Sequence, residues 1–175
     1  MNPSADIETA LGPVADALKR LGVRYAVGGS VATLVHGEFR ATNDVDIVAD
    51  LRPEHAAALV AALADSYYAD EVSIAEAIAR RSSFNLIHLA TMLKVDVFVQ
   101  KDRPYAREAL GRSIEAPVSS APDAPRFWFS SREDIVLAKL EWYRKGGEIS
   151  ERQWRDVRGV LDVQRTALDL DYLRR

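Results

Sequence analysis

The chain has 175 residues, 48% hydrophobic and 28% charged, which is the composition of a folded globular domain and excludes a disordered segment. It contains no cysteine, which excludes disulfide scaffolds, cysteine zinc sites and thiol nucleophiles. The net charge of −3 argues against a general nucleic-acid binder, because neutralising a phosphate backbone requires a basic surface.

The periodicity of the apolar residues predicts a mixed series of helices and strands that ends in helices. In chain order the predicted elements are a helix at 5–21, a strand at 23–27, a helix at 30–36, a strand at 43–49, helices at 53–63 and 73–81, strands at 83–89 and 93–99, a helix at 104–110, strands at 114–118 and 126–129, and helices at 131–145, 150–163 and 168–174. We expect Pro13 to break or kink the first helix and Ser30 to cap the second.

This order of elements predicts an α+β fold, in which a small mixed β-sheet is flanked by helices and followed by a C-terminal helical segment. We place the core at residues 1–130 and the helical segment at 131–175, packed on the core as one compact unit. The first residues have neither the basic start nor the apolar run of a signal peptide, and no apolar stretch has the length of a membrane span. We therefore predict a cytoplasmic, bacterial-type protein.

A glycine pair at the end of the first strand is a candidate phosphate site. Gly28 and Gly29 allow the backbone to approach a ligand closely. Ser30 follows at the start of a predicted helix, where free N–H groups favour phosphate. A lone Gly-Gly-Ser sequence is also a common turn.

Three aspartates are candidate ligands of a divalent cation. Asp44 and Asp46 lie two residues apart on a strand, so their side chains face the same way at a spacing of about 6.6 Å. Asp96 lies in the middle of a later strand, on the side opposite Val95 and Val97. Such acids would repel each other strongly unless a cation neutralised them. Taken singly, each could instead be an acid on an exposed face or an edge strand.

The order of these motifs resembles a known superfamily. The series Gly28-Gly29-Ser30, Asp44-Val45-Asp46 and Asp96 is similar to that of the polymerase-beta-like nucleotidyltransferases. The closer pattern resembles the minimal, AbiEii-like nucleotidyltransferases of the abortive-infection toxin type. That pattern adds His36-Gly37, Arg40, Thr42 and a later helix from Ser131 to Lys139-Leu140. The resemblance implies the nucleotidyltransferase fold.

The resemblance also implies a reaction and roles for the candidate residues. Gly28, Gly29 and Ser30 would hold the phosphates of a nucleoside triphosphate, with Arg40, Thr42 and Lys139 as further nucleotide-binding residues. Asp44, Asp46 and Asp96 would be both catalytic and metal-binding, with Mg²⁺ or Mn²⁺ as cofactor. Asp96 would help to deprotonate an acceptor hydroxyl, which attacks the α-phosphate so that pyrophosphate leaves.

Several alternatives remain open at this stage. The protein could be a non-catalytic nucleotide- or partner-binding relative, or a toxin that modifies tRNA or protein and pairs with an antitoxin. It could also modify an antibiotic, for which acids such as those at 148–151 give only a weak hint. The acceptor is therefore tRNA, a protein or a small molecule.

Other polar and aromatic residues have simpler interpretations. Arg40 could be a surface arginine, and Lys139 a solvated lysine on an amphipathic helix. Arg155 and Asp156 are interpreted as a surface pair within one helix, or as residues that line the acceptor side of the site. The remaining residues are predicted to be structural: His36 as a cap, His88 in its strand, and Trp142, Tyr143 and Trp154 in packing between the C-terminal helices.

Overall fold

The computed structural model describes residues 3–36 and 44–174. Within these ranges the strands form one mixed sheet in the order β3-β4-β5-β2-β1-β7-β6. The strands are β1 (Tyr25–Val27), β2 (Asp44–Ala49), β3 (Tyr67–Tyr68), β4 (Ser83–His88), β5 (Lys94–Val99), β6 (Ile114–Pro117) and β7 (Arg126–Phe129). The helices are α1 (Pro3–Arg20), α2 (Gly29–Val35), α3 (Ala56–Leu63), α4 (Glu71–Ala79), α5 (Pro104–Gly111), α6 (Arg132–Lys145), α7 (Glu151–Gln164) and α8 (Leu170–Leu173), and a 3₁₀ turn lies at Pro53–His55. The predicted α+β class is confirmed.

The two central strands each have one buried and one more open face. Burial alternates residue by residue along both β2 and β5. Val45 and Ile47 of β2 and Val97 of β5 belong to the main hydrophobic core, together with Leu11 of α1 and Leu59 of α3. The period-two pattern therefore leaves the aspartates on the face opposite this core.

Pro13 does not break the first helix, which was one of its two predicted effects, because it lies inside α1. A proline inside a helix removes one hydrogen bond and costs about 3 kcal/mol. Here Leu11, Val14 and Leu18 are almost completely buried on one side of the helix. The preceding residue is Gly12, which has no side chain to clash with the proline ring. Packing of the apolar face therefore outweighs the local preference.

The start of α2 was also predicted wrongly. The residue that caps this helix is Gly28, and Ser30 lies buried within its first turn. No side chain caps the helix. The backbone therefore turns from β1 into α2 through the two glycines alone.

Two further elements differ from the expected pattern. The two-residue strand β3 was not predicted, since two residues give no periodicity, and it pairs with the end of β4. Helix α4 begins at Glu71, two residues before its predicted start, because the Asp70 side chain accepts a hydrogen bond from the Ser73 N–H and caps it. Among the described residues, no helix has the length and apolar character needed to cross a bilayer.

Candidate active site

The three predicted carboxylates lie on one face of neighbouring strands. Strands β2 and β5 pair in parallel, with Asp46 opposite Asp96 and Asp44 opposite Lys94. The register and the alternation of burial together put Asp44, Asp46 and Asp96 on the same side of the sheet. Their roles as metal ligands and catalytic groups remain predictions, and the shared face is what the structure adds to them.

A lysine that was not predicted as a site residue lies among these acids. The ammonium nitrogen of Lys94 is 2.9 Å from Oδ2 of Asp96 and 3.6 Å from Oδ1 of Asp44. The hydrogen bond to Asp96, with the charges of Asp96 and Asp44, raises the pKa of Lys94. The alternation of Lys94-Val95-Asp96 already placed this lysine on the acid face, so the sequence contained the signal.

The surroundings of Asp46 disfavour its negative charge. Burial raises its pKa, and the negative charges of Asp96 and Asp44 raise it further. The positive charges of Lys139 and Lys94 oppose this effect. A carboxylate that is desolvated and surrounded by like charges has a strong tendency to bind a cation.

The glycine pair lies directly against this acid. The Gly28 N–H donates a hydrogen bond of 2.8 Å to the backbone carbonyl of Asp46. Gly29 has a φ of +56°, and a Cβ atom built on it would lie 1.7 Å from Oδ2 of Asp46. A side chain at this position would strain the backbone and would require the Asp46 carboxylate to move. The prediction that the glycines and the acids form one site is therefore geometrically consistent.

Lys139 reaches the same region from helix α6, and it is not a solvated lysine. It is 6% exposed, and its ammonium group donates a hydrogen bond of 2.6 Å to Oδ2 of Asp156 on α7. Asp156 is also buried, so its interpretation as part of a surface pair was wrong. The two residues are seventeen positions apart on different helices, and no local pattern in the sequence predicts such a pair.

His36 connects α2 to the segment that leads into α6. Its Nε2 atom donates a hydrogen bond of 2.9 Å to the carbonyl of Ser130, and burial lowers its pKa. The side chain of Gln164 donates a hydrogen bond of 2.8 Å to the carbonyl of His36. The histidine is therefore structural, as predicted. The predicted nucleotide-binding residues Arg40 and Thr42 lie outside the described residues.

The first turn of α6 carries acids that serve packing. Ser131 caps the helix and also donates a hydrogen bond to Asp134, whose other oxygen accepts one of 2.8 Å from the Tyr172 hydroxyl. Arg112 contacts Glu133 at 3.2 Å and lies over the Tyr172 ring. This buried cluster joins α5, α6 and α8.

The aromatic residues of α6 and α7, and His88 of β4, were predicted to have structural roles. The rings of Tyr143 and Trp154 are 5.8 Å apart, which confirms packing between α6 and α7, whereas Trp142 is 56% exposed. His88 is buried and forms a hydrogen bond of 2.8 Å with Thr91 in the turn after β4, which confirms its structural role.

Whether the acid face can hold a metal ion depends on the number and the kind of its ligands. Within residues 3–36 and 44–174, no three His, Asp or Glu side chains are close enough to hold one. The donor set is nevertheless that of a hard cation, because Asp44, Asp46 and Asp96 offer only carboxylate oxygens. Mg²⁺ is usually bound by one or two carboxylates together with substrate phosphates, so it needs no complete protein cage. These residues fit a cation that binds together with a nucleotide.

The chain matches the model of a known protein family. The family model of aminoglycoside-2''-adenylyltransferase matches residues 10–138, which is more than half of the chain. A comparison with curated proteins gave no match by sequence.

Solved structures with the same fold are nucleotidyltransferases. An antigenic nucleotidyltransferase-like protein from Paracoccidioides brasiliensis has a TM-score of 0.62 and 18% identity, over 95% of this chain and 78% of that one. The antibiotic-resistance factor ANT(2'')-Ia has a TM-score of 0.61 and 14% identity, over 98% and 90% of the two chains. The lincosamide adenylyltransferase LnuA, bound to lincomycin, has a TM-score of 0.50 and 16% identity, over 89% and 97%. At such identities the likeness establishes the fold alone.

Proposed function

Because the chain belongs to the aminoglycoside-2''-adenylyltransferase family and is therefore a nucleotidyltransferase, we propose that it transfers the adenylyl group of ATP to a hydroxyl of a small molecule and releases pyrophosphate. The observation that carries this proposal is the pairing of Asp46 with Asp96 on the face where Gly29 contacts Asp46. In this proposal the phosphates would bind at the glycine pair, beside the acid pair.

Different residues of the chain would serve different parts of the reaction. The backbone at Gly28, Gly29 and Ser30 would receive the triphosphate, because the absence of a side chain at Gly29 leaves room beside Asp46. Asp44, Asp46 and Asp96 would hold a divalent cation, which when bound neutralises phosphate charge. Asp96 would accept the proton of the acceptor hydroxyl, and the new oxygen–phosphorus bond would form as the bond to pyrophosphate breaks. The positive charge of Lys139, held by Asp156, would stabilise the negative charge near Asp46.

The acceptor of this chain can be proposed from those of proteins that share its fold. One structure of ANT(2'')-Ia contains adenylyl-2''-tobramycin, and that of LnuA contains lincomycin. We therefore propose a hydroxylated antibiotic-like acceptor for this chain. An AbiEii-like toxin that modifies tRNA or protein with an antitoxin partner stays an alternative that no described contact favours.

The experiment that tests this function supplies labelled ATP and Mg²⁺ or Mn²⁺ with candidate acceptors. Tobramycin, lincomycin, bulk tRNA and a cell extract would be compared by the release of pyrophosphate and by the mass of the product. We expect transfer to a small molecule by the wild type and none by Asp46→Asn, which keeps the size of the side chain and removes its charge. Lys145→Met, on the exposed end of α6, is the control and should transfer normally. Labelling of tRNA or protein alone would contradict the proposed acceptor, and no transfer at all would contradict the proposed function.

A further inference from the structure

The position of Lys94 gives it a property that the acids alone do not have. It is the first residue of β5, opposite Asp44 in the parallel pairing and two residues before Asp96 on the same face. Its ammonium nitrogen contacts one oxygen of Asp96 and one of Asp44. A cation supplied by the chain itself thus bridges two of the three predicted metal ligands.

A metal ion and this ammonium group require the same space. A divalent ion held by Asp44 and Asp96 would bind the carboxylate oxygens that face the Lys94 ammonium group. The Lys94 nitrogen lies against both carboxylates in the same region. Two cations placed so close would repel each other strongly, and their contact distances overlap. Binding of the metal therefore requires the lysine to move.

The lysine has access to water and can change its position. The Lys94 side chain is 40% exposed and that of Asp44 is 50% exposed, whereas the side chain of Asp96, its closer partner, is 17% exposed. An exposed pair such as that with Asp44 contributes little to stability, and the flexible stem of a lysine allows several positions of its head group. An arriving triphosphate would offer the displaced ammonium a new anionic partner.

We infer that Lys94 is a tethered counter-ion that occupies the cation position between Asp44 and Asp96 and competes with the divalent metal. This inference rests on the proposed function insofar as it assumes a metal at these acids. The two contacts of Lys94 neutralise part of the negative charge that would otherwise attract the metal. We therefore expect that metal alone binds weakly and that the nucleotide assists its binding.

The test measures metal binding directly. Mn²⁺ without nucleotide would be titrated by calorimetry into the full chain of the wild type, Lys94→Met and Lys94→Gln, with folding checked by circular dichroism. We expect both variants to bind Mn²⁺ about tenfold more tightly than the wild type, because removing one partly screened positive charge at this distance is worth about that factor. Lys145→Met removes a lysine from an exposed pair with Glu141 and should bind as the wild type does. The double variant Lys94→Met with Asp46→Asn should lose the gain, which assigns the measured site to these acids.

The possible outcomes separate this inference from the proposed function. Mn²⁺ affinity that is equal or weaker in both Lys94 variants would overturn the inference, even if the wild type transfers adenylyl groups. Tighter binding in the variants, with no transfer by the wild type to any acceptor, would support the inference and contradict the proposed function. No Mn²⁺ binding by any variant would overturn the inference, and transfer by the wild type would then decide the proposed function separately.

Discussion

At the scale of single residues, the site depends most strictly on Gly29. Its φ of +56° is rarely adopted by residues with a side chain, and the space where a Cβ would lie is filled by the Asp46 carboxylate. Two independent causes, one of backbone conformation and one of sterics, therefore require glycine. The position is fixed by the fold and by the acid face together.

We predict that Gly29→Ala destabilises the protein by about 1–3 kcal/mol and abolishes its stabilisation by ATP with Mg²⁺. The added methyl group must displace either the α2 backbone or the Asp46 side chain. Urea denaturation with and without ligand measures both effects. Gly111→Ala is the matched control, because a Cβ there meets nothing within 4 Å and its φ is not positive. A Gly29→Ala variant as stable and as responsive to ATP as the wild type would refute the assignment of Gly29 to the site.

His36 makes the folded chain sensitive to mild acid. Burial lowers its pKa, so below its ordinary value of 6.5 the unfolded chain binds a proton that the folded chain resists. The stability is therefore complete above that value and is lost as the pH falls through the lowered pKa. We predict that the stability of His36→Gln falls less in mild acid than that of the wild type. The Gln amide can still donate to the Ser130 carbonyl but does not take up a proton.

The measurement for His36 is the free energy of unfolding in urea between about pH 8 and pH 5. The wild type should lose more stability than His36→Gln over this range, and His55→Gln, at the 3₁₀ turn, serves as the control. Parallel curves for the wild type and His36→Gln would mean that burial of this ring does not oppose its protonation.

At the scale of elements, the buried pair Lys139–Asp156 joins helices α6 and α7. The side chains of the two residues are 8% and 7% exposed, so neither charge has much access to water. Removal of one partner leaves the other buried and uncompensated, which costs about 3–5 kcal/mol, whereas removal of both with apolar replacements is often nearly neutral. Single and double variants of this pair can therefore distinguish an effect on stability from an effect on catalysis.

We predict that Lys139→Met and Asp156→Leu each destabilise the chain by about 3–5 kcal/mol, and that the double variant recovers most of this loss. The double variant should still lack adenylyl transfer, because it has no positive charge near Asp46. Urea denaturation of the four proteins gives the coupling energy, and the assay with labelled ATP gives the activity. Recovery of both stability and activity in the double variant would show that Lys139 serves packing alone.

The elements also indicate how far the sequence determines the fold and the site. Strands β2 and β5 were predicted because six residues of strict alternation have only one periodic interpretation, and this alternation also placed Asp46 and Asp96 on one face. Pro13 was misjudged because local propensity ignores the packing of α1. The partner of Lys139 was missed because an ion pair between helices depends on tertiary structure. Sequence patterns thus predict which face a residue occupies better than which residue it contacts.

At the scale of the whole molecule, contacts cross between the sheet region and the C-terminal helices at several points. Gln164 of α7 donates a hydrogen bond to the His36 carbonyl, and Arg112 contacts Glu133 of α6. The Tyr172 hydroxyl of α8 donates a hydrogen bond to Asp134. Apolar side chains of α6 and α7 also belong to the main core. We therefore expect the C-terminal segment to unfold together with the rest of the chain. The compact unit of the core and residues 131–175 stays a prediction, which the unfolding of the chain can test.

We therefore predict a single cooperative unfolding transition in urea, in which the far-ultraviolet circular dichroism and the fluorescence of one tryptophan coincide. The three tryptophans allow a local probe, since Trp128→Phe with Trp142→Phe leaves Trp154, which packs against Tyr143 between α6 and α7. Tyr172→Phe should shift both transitions together by about 1–3 kcal/mol, because it removes the hydroxyl that donates to the buried carboxylate of Asp134. A fluorescence transition at a lower urea concentration than that of the circular dichroism would instead mean that the helical segment unfolds on its own. In that case Lys139 would be carried by a separable unit, and ATP with Mg²⁺ should raise the stability of the helical segment more than that of the sheet.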